Sequence, residues 1–254
     1  MDFPEPLMLL FLIIAGFLAA FIDSAVGGGG LISLPALLLT GLPPGIALGT
    51  NKLAATMSSL TSSISFFVSG KVDGRLAAGL FPLALIGSVL GSYTVHFIPS
   101  SFLKPMVVVL LIAMTVYTFL KKNWGADAQK RKLTAAALAA VAIGTTVIGF
   151  YDGFFGPGTG SFLIFMFLFA GFDFVRASGA SKVLNLGSNF GSLATFFFLG
   201  SVNWHYGVPM GIAMIAGALT GSQVAIRKGS AYVKPLFLIV TTLLIGKQLW
   251  DLLL

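Results

Sequence analysis

The sequence predicts an all-α polytopic membrane protein that contains two copies of one repeat, and three observations support this fold class. First, the 254 residues are 57% hydrophobic and only 9% charged, whereas about a quarter of the residues in a soluble domain are charged. Second, several apolar runs approach the roughly 20 residues that a helix needs to cross a bilayer. Third, the second half of the chain repeats the residue pattern of the first.

The apolar runs predict helices rather than strands. The clearest runs cover residues 7–22, 76–98, 106–120 and 133–148. Unpaired backbone polar groups are costly in lipid, so only helices and closed β-barrels span a membrane. These runs lack the alternation of polar and apolar residues that a barrel strand shows, and we therefore expect helical spans.

The internal repeat keeps one register, apart from one residue inserted in the second half. It aligns Phe21 with Phe150, Asp23 with Asp152, Gly27 with Gly156, Lys52 with Lys182, Ser58 with Ser188, Gly87 with Gly217 and Gly91 with Gly221. Such a repeat predicts a single integral membrane domain over residues 1–254. Within this domain, a basic cytoplasmic linker (123–132) joins a first repeat (1–122) to a second repeat (133–254).

Each repeat is predicted to contain a glycine-broken membrane hairpin and three transmembrane helices. The glycine-rich breaks are residues 23–30 and 152–160, and the apolar segments 31–40 and 161–170 follow them. These segments are too short to span a bilayer alone. Because irregular backbone is tolerated at membrane depth only where protein or a water-filled cavity shields it, we expect each segment to be the return arm of a hairpin.

Three spans and one hairpin in each repeat give the two repeats opposite, or inverted, orientations. The positive-inside rule then places most basic residues on the cytoplasmic side. These residues are Lys71, Arg75, Lys121, Lys122, Lys130, Arg131, Lys132, Arg176, Arg227, Lys228 and Lys234. Four spans in each repeat would give parallel repeats and would place Arg227, Lys228 and Lys234 on the opposite face, so we favour the inverted arrangement.

Asp23 and Asp152 are ionisable residues within predicted membrane segments, where a charge at the helix centre costs about 2.5–3.5 kcal/mol. Each aspartate ends an apolar run beside a glycine-rich break, and the repeat places the two at equivalent positions. We predict that they act in coupling, as a proton relay or as cation ligands. The alternative is that each carboxylate caps the free amides of its broken helix.

Lys52 and Lys182 are predicted to start the helix that follows each hairpin. A cation beside a helix N-terminus forms an anion site, because the helix dipole also favours negative charge there. The alternative is a lysine that snorkels to the lipid headgroups. Lysine occurs at this position in both repeats, and this recurrence favours contact with an anion.

Further candidates for anion binding are residues of the breaks and amides near the lysines, namely Gly28, Gly29, Gly30, Gly158, Thr159, Gly160, Asn51, Asn185 and Asn189. The helices after the hairpins also carry many hydroxyl groups. Hydroxyls can bind sulfonate or carboxylate oxygens, but small polar residues also let membrane helices pack closely. For a single serine or threonine we favour packing. These residues are Thr56, Ser58, Ser59, Thr61, Ser62, Ser63, Ser65, Ser188, Ser192 and Thr195.

Several other kinds of chemistry are not predicted. The chain has no cysteine, which excludes disulfides and thiolate sites, and we expect neither a metal nor a cofactor. The segment Gly156-Pro-Gly-Thr-Gly160 lacks the strand and the Gly-Lys-Ser/Thr ending of a phosphate-binding loop. The net charge of +7 is attributed to cytoplasmic loops rather than to nucleic-acid binding. An intramembrane enzyme would use Ser161 and His205, but a catalytic pair is not expected in a repeat.

The breaks and the lysines that follow them resemble a known family. The motifs are Asp23-Ser-Ala-Val-Gly-Gly-Gly-Gly30, Gly49-Thr-Asn-Lys52, Gly156-Pro-Gly-Thr-Gly160 and Ala-Ser-Lys182-Val-Leu-Asn185. With these motifs the chain is similar, over nearly its whole length, to the TauE/SafE sulfite exporter family, also called the toluene sulfonate uptake permeases. The resemblance implies a multi-pass permease of the bacterial inner membrane for sulfite, sulfonates or related small organic anions.

These observations together predict a secondary transporter that moves a small anion by alternating access at the interface of the repeats. Its expected partners are the anion, the lipid bilayer, protons as the coupling ion and, in a homo-oligomer, further copies of the chain. No nucleic acid is expected. The alternatives are an anion channel, whose continuous pore would not saturate at low substrate concentration, and the less favoured intramembrane enzyme.

Overall fold

The structure is a computed structural model that describes residues 5–99, 101–102 and 134–229. Helices joined by short loops make up this part of the chain, and it contains no β-strand. The helices are α1 (Pro6–Val26), α2 (Gly30–Leu39), α3 (Pro44–Val68), α4 (Gly74–His96), α5 (Ala135–Phe154), α6 (Thr159–Phe169), α7 (Phe174–Phe198) and α8 (Trp204–Lys228). The prediction of an all-helical protein is therefore confirmed. The predicted span 106–120, the linker 123–132 and the last predicted span of the second repeat lie outside the described residues.

Four of these helices, α1, α4, α5 and α8, are long and apolar enough to cross a membrane. α3 and α7 are equally long, with 25 residues each, but both bury a lysine and a row of small polar residues inside the protein. The polar helices thus lie in the interior, and the apolar helices carry most of the large exposed side chains.

The two short segments form helices close to the predicted bounds. α2 has 10 residues and α6 has 11, which corresponds to about 15 Å of helix, or half of a hydrocarbon core. The breaks before them are shorter than predicted, because α1 and α5 continue past Asp23 and Asp152. Both aspartates therefore lie in the last turn or so of a helix. The remaining breaks turn at glycines with positive φ angles, which other residues adopt only with strain: Gly27 (81°), Gly28 (93°), Gly156 (100°) and Gly158 (89°).

The prediction that Lys52 and Lys182 start helices is wrong. α3 begins at Pro44, in a position that suits proline, and α7 begins after Asp173, whose carboxylate accepts a hydrogen bond from the first turn. Both lysines therefore lie more than two turns inside their helices. Gly49, which lies inside α3, is a packing residue, because a Cβ there would collide with a carbonyl oxygen of the loop before α8.

Close backbone contacts hold α8 against α1 and α5 against α4, and we call these two contacts the glycine seams. At each seam, a Cβ on the glycine would stand too close to a carbonyl oxygen of the neighbouring helix. Small residues allow membrane helices to approach this closely. The contacts, which match in the register of the sequence repeat, are Gly217 with Phe17, Gly221 with Phe21, Gly87 with Thr146 and Gly91 with Phe150.

The tight α4–α5 seam leads to a stability prediction. Gly91→Ala is expected to lower the free energy of unfolding by about 1–3 kcal/mol, as overpacking does elsewhere, because the new Cβ would meet the carbonyl group of Phe150. Gly79→Ala in the same helix is the matched control, since the space around Gly79 is open and alanine is the better helix former. Thermal unfolding in detergent measures both, and equal melting temperatures would contradict the tight seam.

α3 and α7 lie side by side in opposite directions. Near the start of α3, Thr50 Oγ1 accepts a hydrogen bond of 2.9 Å from the backbone N–H of Asn203, which follows α7. At the other end, Phe66 of α3 packs in one cluster with Phe174 at the start of α7 and Ala225 near the end of α8. Basic residues lie at or next to the helix ends on this side, namely Lys71, Arg75, Arg176, Arg227 and Lys228.

Candidate functional site

Two ion pairs connect the first half of the chain with the second. Lys182 Nζ lies 2.8 Å from Asp23 Oδ2, and Lys52 Nζ lies 2.8 Å from Asp152 Oδ1. In each pair the lysine and the aspartate come from different predicted repeats. The sequence assigns the lysines to an anion and the aspartates to coupling, and the structure brings all four together as two crossed pairs.

Both pairs are shielded from solvent. The side chains of Lys52 and Lys182 are 2% and 0% exposed, that of Asp152 is 3% exposed, and that of Asp23 is 17% exposed. The alternative of snorkelling lysines is therefore wrong. When all four groups are ionised, their charges cancel. Loss of one member of such a pair leaves the other charge buried without compensation, which is more destabilising than loss of both.

Polar side chains of α7 complete the surroundings of the Asp152 pair. Ser188 Oγ donates a hydrogen bond of 2.5 Å to Asp152 Oδ2, and Asn189 Oδ1 accepts one of 3.2 Å from Lys52 Nζ. Asn189 in turn donates to Asn185 Oδ1 at 3.1 Å. This network fixes both charged groups through side chains alone.

The Asp23 pair is held differently. Asp23 Oδ1 accepts a hydrogen bond of 3.1 Å from the backbone N–H of Gly29, just before α2. Asp23 therefore bonds to the backbone just before α2 and forms an ion pair at the same time, while its role in coupling stays a prediction. Ser58, the residue that the repeat aligns with Ser188, has a buried hydroxyl without a hydrogen-bond partner in the described part of the chain.

A small cavity lies between the two pairs. Its volume is about 30 Å³, which is enough for roughly two water molecules. α2 and α6 both begin at this cavity, and the first amides of a helix have no partner within the helix. The cavity thus combines two helix N-termini with ionisable side chains.

The two glycine-rich breaks touch each other beside the cavity. The backbone of Gly27 lies against Gly160 and Ser161, and Gly30 lies against Pro157. Ser161 Oγ also donates a hydrogen bond of 3.5 Å to the carbonyl oxygen of Val26. Glycine is required here, because a Cβ on Gly27 would overlap the backbone of the opposite break.

Most of the predicted site residues meet at this cavity, although their roles remain predictions. Its lining includes Asp23, Asp152, Lys52, Asn51, Gly29, Gly30, Gly158, Thr159, Gly160, Asn185 and Asn189. Lys182 is bound to Asp23 and lies next to Gly160. Gly28 and Lys182 are both outside the lining.

The lining also contains residues that the sequence analysis did not select. Ser33, Ala55, Gly156 and Met214 are among them, and Ser58 was assigned only to packing. Gly156 belongs to the second break, so its position could have been inferred. Ala55 and Met214 carry no polar group that would distinguish them from ordinary membrane residues.

Most hydroxyl groups of α3 bond to their own helix and are therefore occupied. The donors to carbonyl oxygens three or four residues earlier are Thr56, Ser59, Thr61, Ser62 and Ser65. Such hydroxyls fit the favoured interpretation that this polar face serves helix structure and packing. Ser58 and Ser63 differ, because their buried hydroxyls have no hydrogen-bond partner among the described residues, and of these two only Ser58 lines the cavity.

Comparison with known proteins gives consistent matches. The sequence matches the family described as "Sulfite exporter TauE/SafE" over residues 12–247. It is 40% identical to "Probable membrane transporter protein ORF9" of Sinorhizobium sp, with 96% of this chain and 93% of that protein covered. It is 35% identical to a probable membrane transporter protein of Haemophilus influenzae (96% and 95% covered) and 36% identical to the probable membrane transporter protein YfcA of Escherichia coli K12 (97% and 91% covered). No solved structure matches the chain.

These matches extend over nearly the whole chain, and their descriptions name membrane transport rather than catalysis. Together with four helices able to cross a membrane, they identify a multi-pass membrane transporter. They do not support the alternative that the protein is an intramembrane enzyme. The family resemblance that the sequence motifs indicate is confirmed. The chain belongs to the TauE/SafE family of membrane transporters.

Proposed function

We propose that this protein is a secondary transporter for a small anion, such as sulfite, a sulfonate or a related organic anion, and that the anion binds in the cavity between the two glycine-rich breaks. One observation carries this proposal. Two buried ammonium groups, those of Lys52 and Lys182, lie beside Gly156 and Gly160, where the second break leads into α6. Positive side chains beside a helix N-terminus form a favourable environment for an anion.

The choice of anion rests on two kinds of support. The amides, hydroxyls and ammonium groups at the cavity are hydrogen-bond donors, which suit the oxygens of an oxyanion. The family description names sulfite export, whereas the matched relatives are named only as membrane transporters. The sulfur oxyanions are therefore the first substrates to test.

We propose alternating access as the mechanism. It would take place between two inverted repeats, residues 1–122 and 133–254, joined by the linker 123–132 on the cytoplasmic side. Binding sites at the interface of inverted repeats are common in secondary transporters. Three features support it: the ion pairs Asp23–Lys182 and Lys52–Asp152 join the two halves, α3 and α7 run in opposite directions, and the glycine seams match in the repeat register. Rocking one half against the other would open the cavity to each side in turn.

A carrier fits the cavity better than a channel. A channel keeps a continuous water-filled pore, and the groups along such a pore are hydrated. Here the charged groups Lys52, Lys182 and Asp152 are almost completely buried, and the cavity holds only about two water molecules. The cavity is thus much narrower than a continuous pore, and the proposed carrier would have to rearrange before an anion can enter.

A proton is the coupling ion we propose, with the aspartates as its acceptors. The two carboxylates and two ammonium groups balance each other, so a bound anion adds one negative charge to a buried, neutral cluster. Uncompensated charge in such a place is costly. Protonation of one aspartate would restore neutrality and would couple anion movement to proton movement.

We expect proteoliposomes that contain the purified protein to take up labelled sulfite and methanesulfonate with saturable kinetics. Unlabelled methanesulfonate should compete with labelled sulfite, because both would occupy one closed site, while choline chloride at the same concentration should not compete. Protein-free liposomes give the background. Flux that rises linearly with anion concentration would favour a channel, and background-level flux of both anions would refute the proposed function.

A further inference from the structure

The two ion pairs at the cavity differ in how completely they are satisfied. Lys52 bonds to both Asp152 and Asn189, and Asp152 also accepts a hydrogen bond from Ser188. For Lys182, the hydrogen bond found among the described residues is the one to Asp23. The first pair is therefore a closed network, whereas the second depends on a single side-chain contact.

The repeat register shows which groups the Asp23 pair lacks. Ser58 stands where the other half has Ser188, yet Ser58 Oγ has no hydrogen-bond partner in the described chain, although the residue is only 2% exposed. Ala55 stands at the position of Asn185. Ser59, at the position of Asn189, donates to its own helix. The side chains that would complete a second network are thus absent or turned away.

Two of the four unsatisfied buried groups that the structure describes in this half line the cavity. Ser58 lies in the lining together with Asn51, whose Oδ1 is also buried without a partner among the described residues. Buried polar groups are normally hydrogen-bonded, and each exception calls for an explanation. The oxygens of an anion would accept a hydrogen bond from the Ser58 hydroxyl and, once the Asn51 carboxamide has rotated, a second one from Asn51 Nδ2.

We infer that the anion binds in the Asp23 half of the cavity, between Asp23, Ser58 and Asn51, and that Lys182 is the lysine that binds it. This inference rests on the proposed function and assigns unequal roles to the two ion pairs. As the anion enters, one proton binds to the Asp23 carboxylate, and Lys182 turns its N–H donors from this carboxylate to the anion. Lys52 stays bound to Asp152, and the sum of charges in the cavity stays at zero.

Charged neighbours of Asp23 support this assignment. Within the described residues, Lys182 of α7 bonds to Asp23, while Lys52 of α3 and Asp152 of α5 share the cavity lining with it. The other helices at the cavity, α2, α6 and α8, contribute only uncharged residues to the lining. Asp23 is also the more exposed of the two aspartates, so a proton can reach it more readily.

Ser58→Ala and Ser188→Ala form a matched pair that tests the inference in proteoliposomes. Ser58→Ala is expected to raise the KM for methanesulfonate about tenfold, because one hydrogen bond to a charged ligand is lost, and to leave the melting temperature unchanged. Ser188→Ala is expected to lower the melting temperature, because Asp152 loses a partner, with a smaller change in KM. Methanesulfonate stays ionised as the pH changes, so its KM in the wild type should also rise, up to about tenfold per pH unit, as protons become scarcer.

The outcomes separate this inference from the proposed function. Absence of saturable flux in the wild type would refute both. If the wild-type flux is saturable but the KM changes equally in the two serine variants, only the assignment to the Asp23 half is refuted. The same holds if the wild-type flux is saturable but Ser58→Ala loses folded protein. A wild-type KM that does not change with pH would refute the proton step at Asp23.

Discussion

Lys52→Gln is expected to destabilise the folded protein by about 3–5 kcal/mol, the usual result when one partner of a buried ion pair is removed. Asp152 would keep its negative charge at a position that is 3% exposed, and Ser188 alone would not compensate for it. The double variant Lys52→Gln/Asp152→Asn should recover most of the loss, because two neutral side chains of similar shape can bond to each other. Thermal unfolding in detergent, measured for the wild type, both single variants and the double variant, gives the interaction energy directly.

The single variants are the control for the double variant. If the double variant is as unstable as the sum of the two single variants, Lys52 and Asp152 do not interact as the structure indicates. If Lys52→Gln alone leaves the melting temperature unchanged, the lysine is not buried in a pair at all.

Asp23→Asn/Lys182→Gln is expected to remain folded but to transport subsaturating methanesulfonate at least about thirtyfold more slowly than the wild type. Loss of a buried charged contact to a ligand usually costs 2–5 kcal/mol of binding, which corresponds to about this factor or more. Lys52→Gln/Asp152→Asn is the matched control, since it removes the equivalent pair in the other half. We expect this control to retain saturable flux with a smaller loss, because in the inferred binding mode Lys52 stays bound to Asp152 rather than to the anion.

The comparison of the two double variants is informative because both conserve the net charge of the cavity. Initial rates in proteoliposomes, corrected for the amount of folded protein, are the required measurement. Similar losses in the two variants would show that both halves serve the anion equally, and a faster Asp23→Asn/Lys182→Gln variant would exclude Lys182 as the lysine that binds it.

Much of the fold could be predicted because it depends on local sequence. Apolar length indicated the spans, glycine clusters indicated the breaks, and the short segments after them became α2 and α6. The helix start assigned to Lys52 was wrong because Gly49 looks the same in sequence whether it ends a turn or packs against another backbone. Only the neighbouring carbonyl group decides between the two, and that neighbour lies in the other half of the chain.

The sequence predicted which residues form the candidate site but not which aspartate bonds to which lysine. Asp23 and Lys182 attract attention as charges within apolar surroundings, and the repeat marks them as related to Asp152 and Lys52. Each aspartate bonds to the lysine of the opposite half because of the way the helices cross. The sequence pattern does not specify this crossing. Ser58 could not be singled out for a different reason. The role inferred for it depends on its buried hydroxyl having no hydrogen-bond partner among the described residues, which only the structure shows.

The glycine seams have a further consequence for movement. Side chains that interlock across a helix interface must change rotamer before the helices can slide, and this requirement makes a packed interface resist shear. At the seams, Gly217, Gly221, Gly87 and Gly91 present no side chain to the opposite carbonyl groups. Under the proposed rocking motion, these four positions would allow a small axial shift without a change of rotamer, and the crossed ion pairs would hold the halves in a given position.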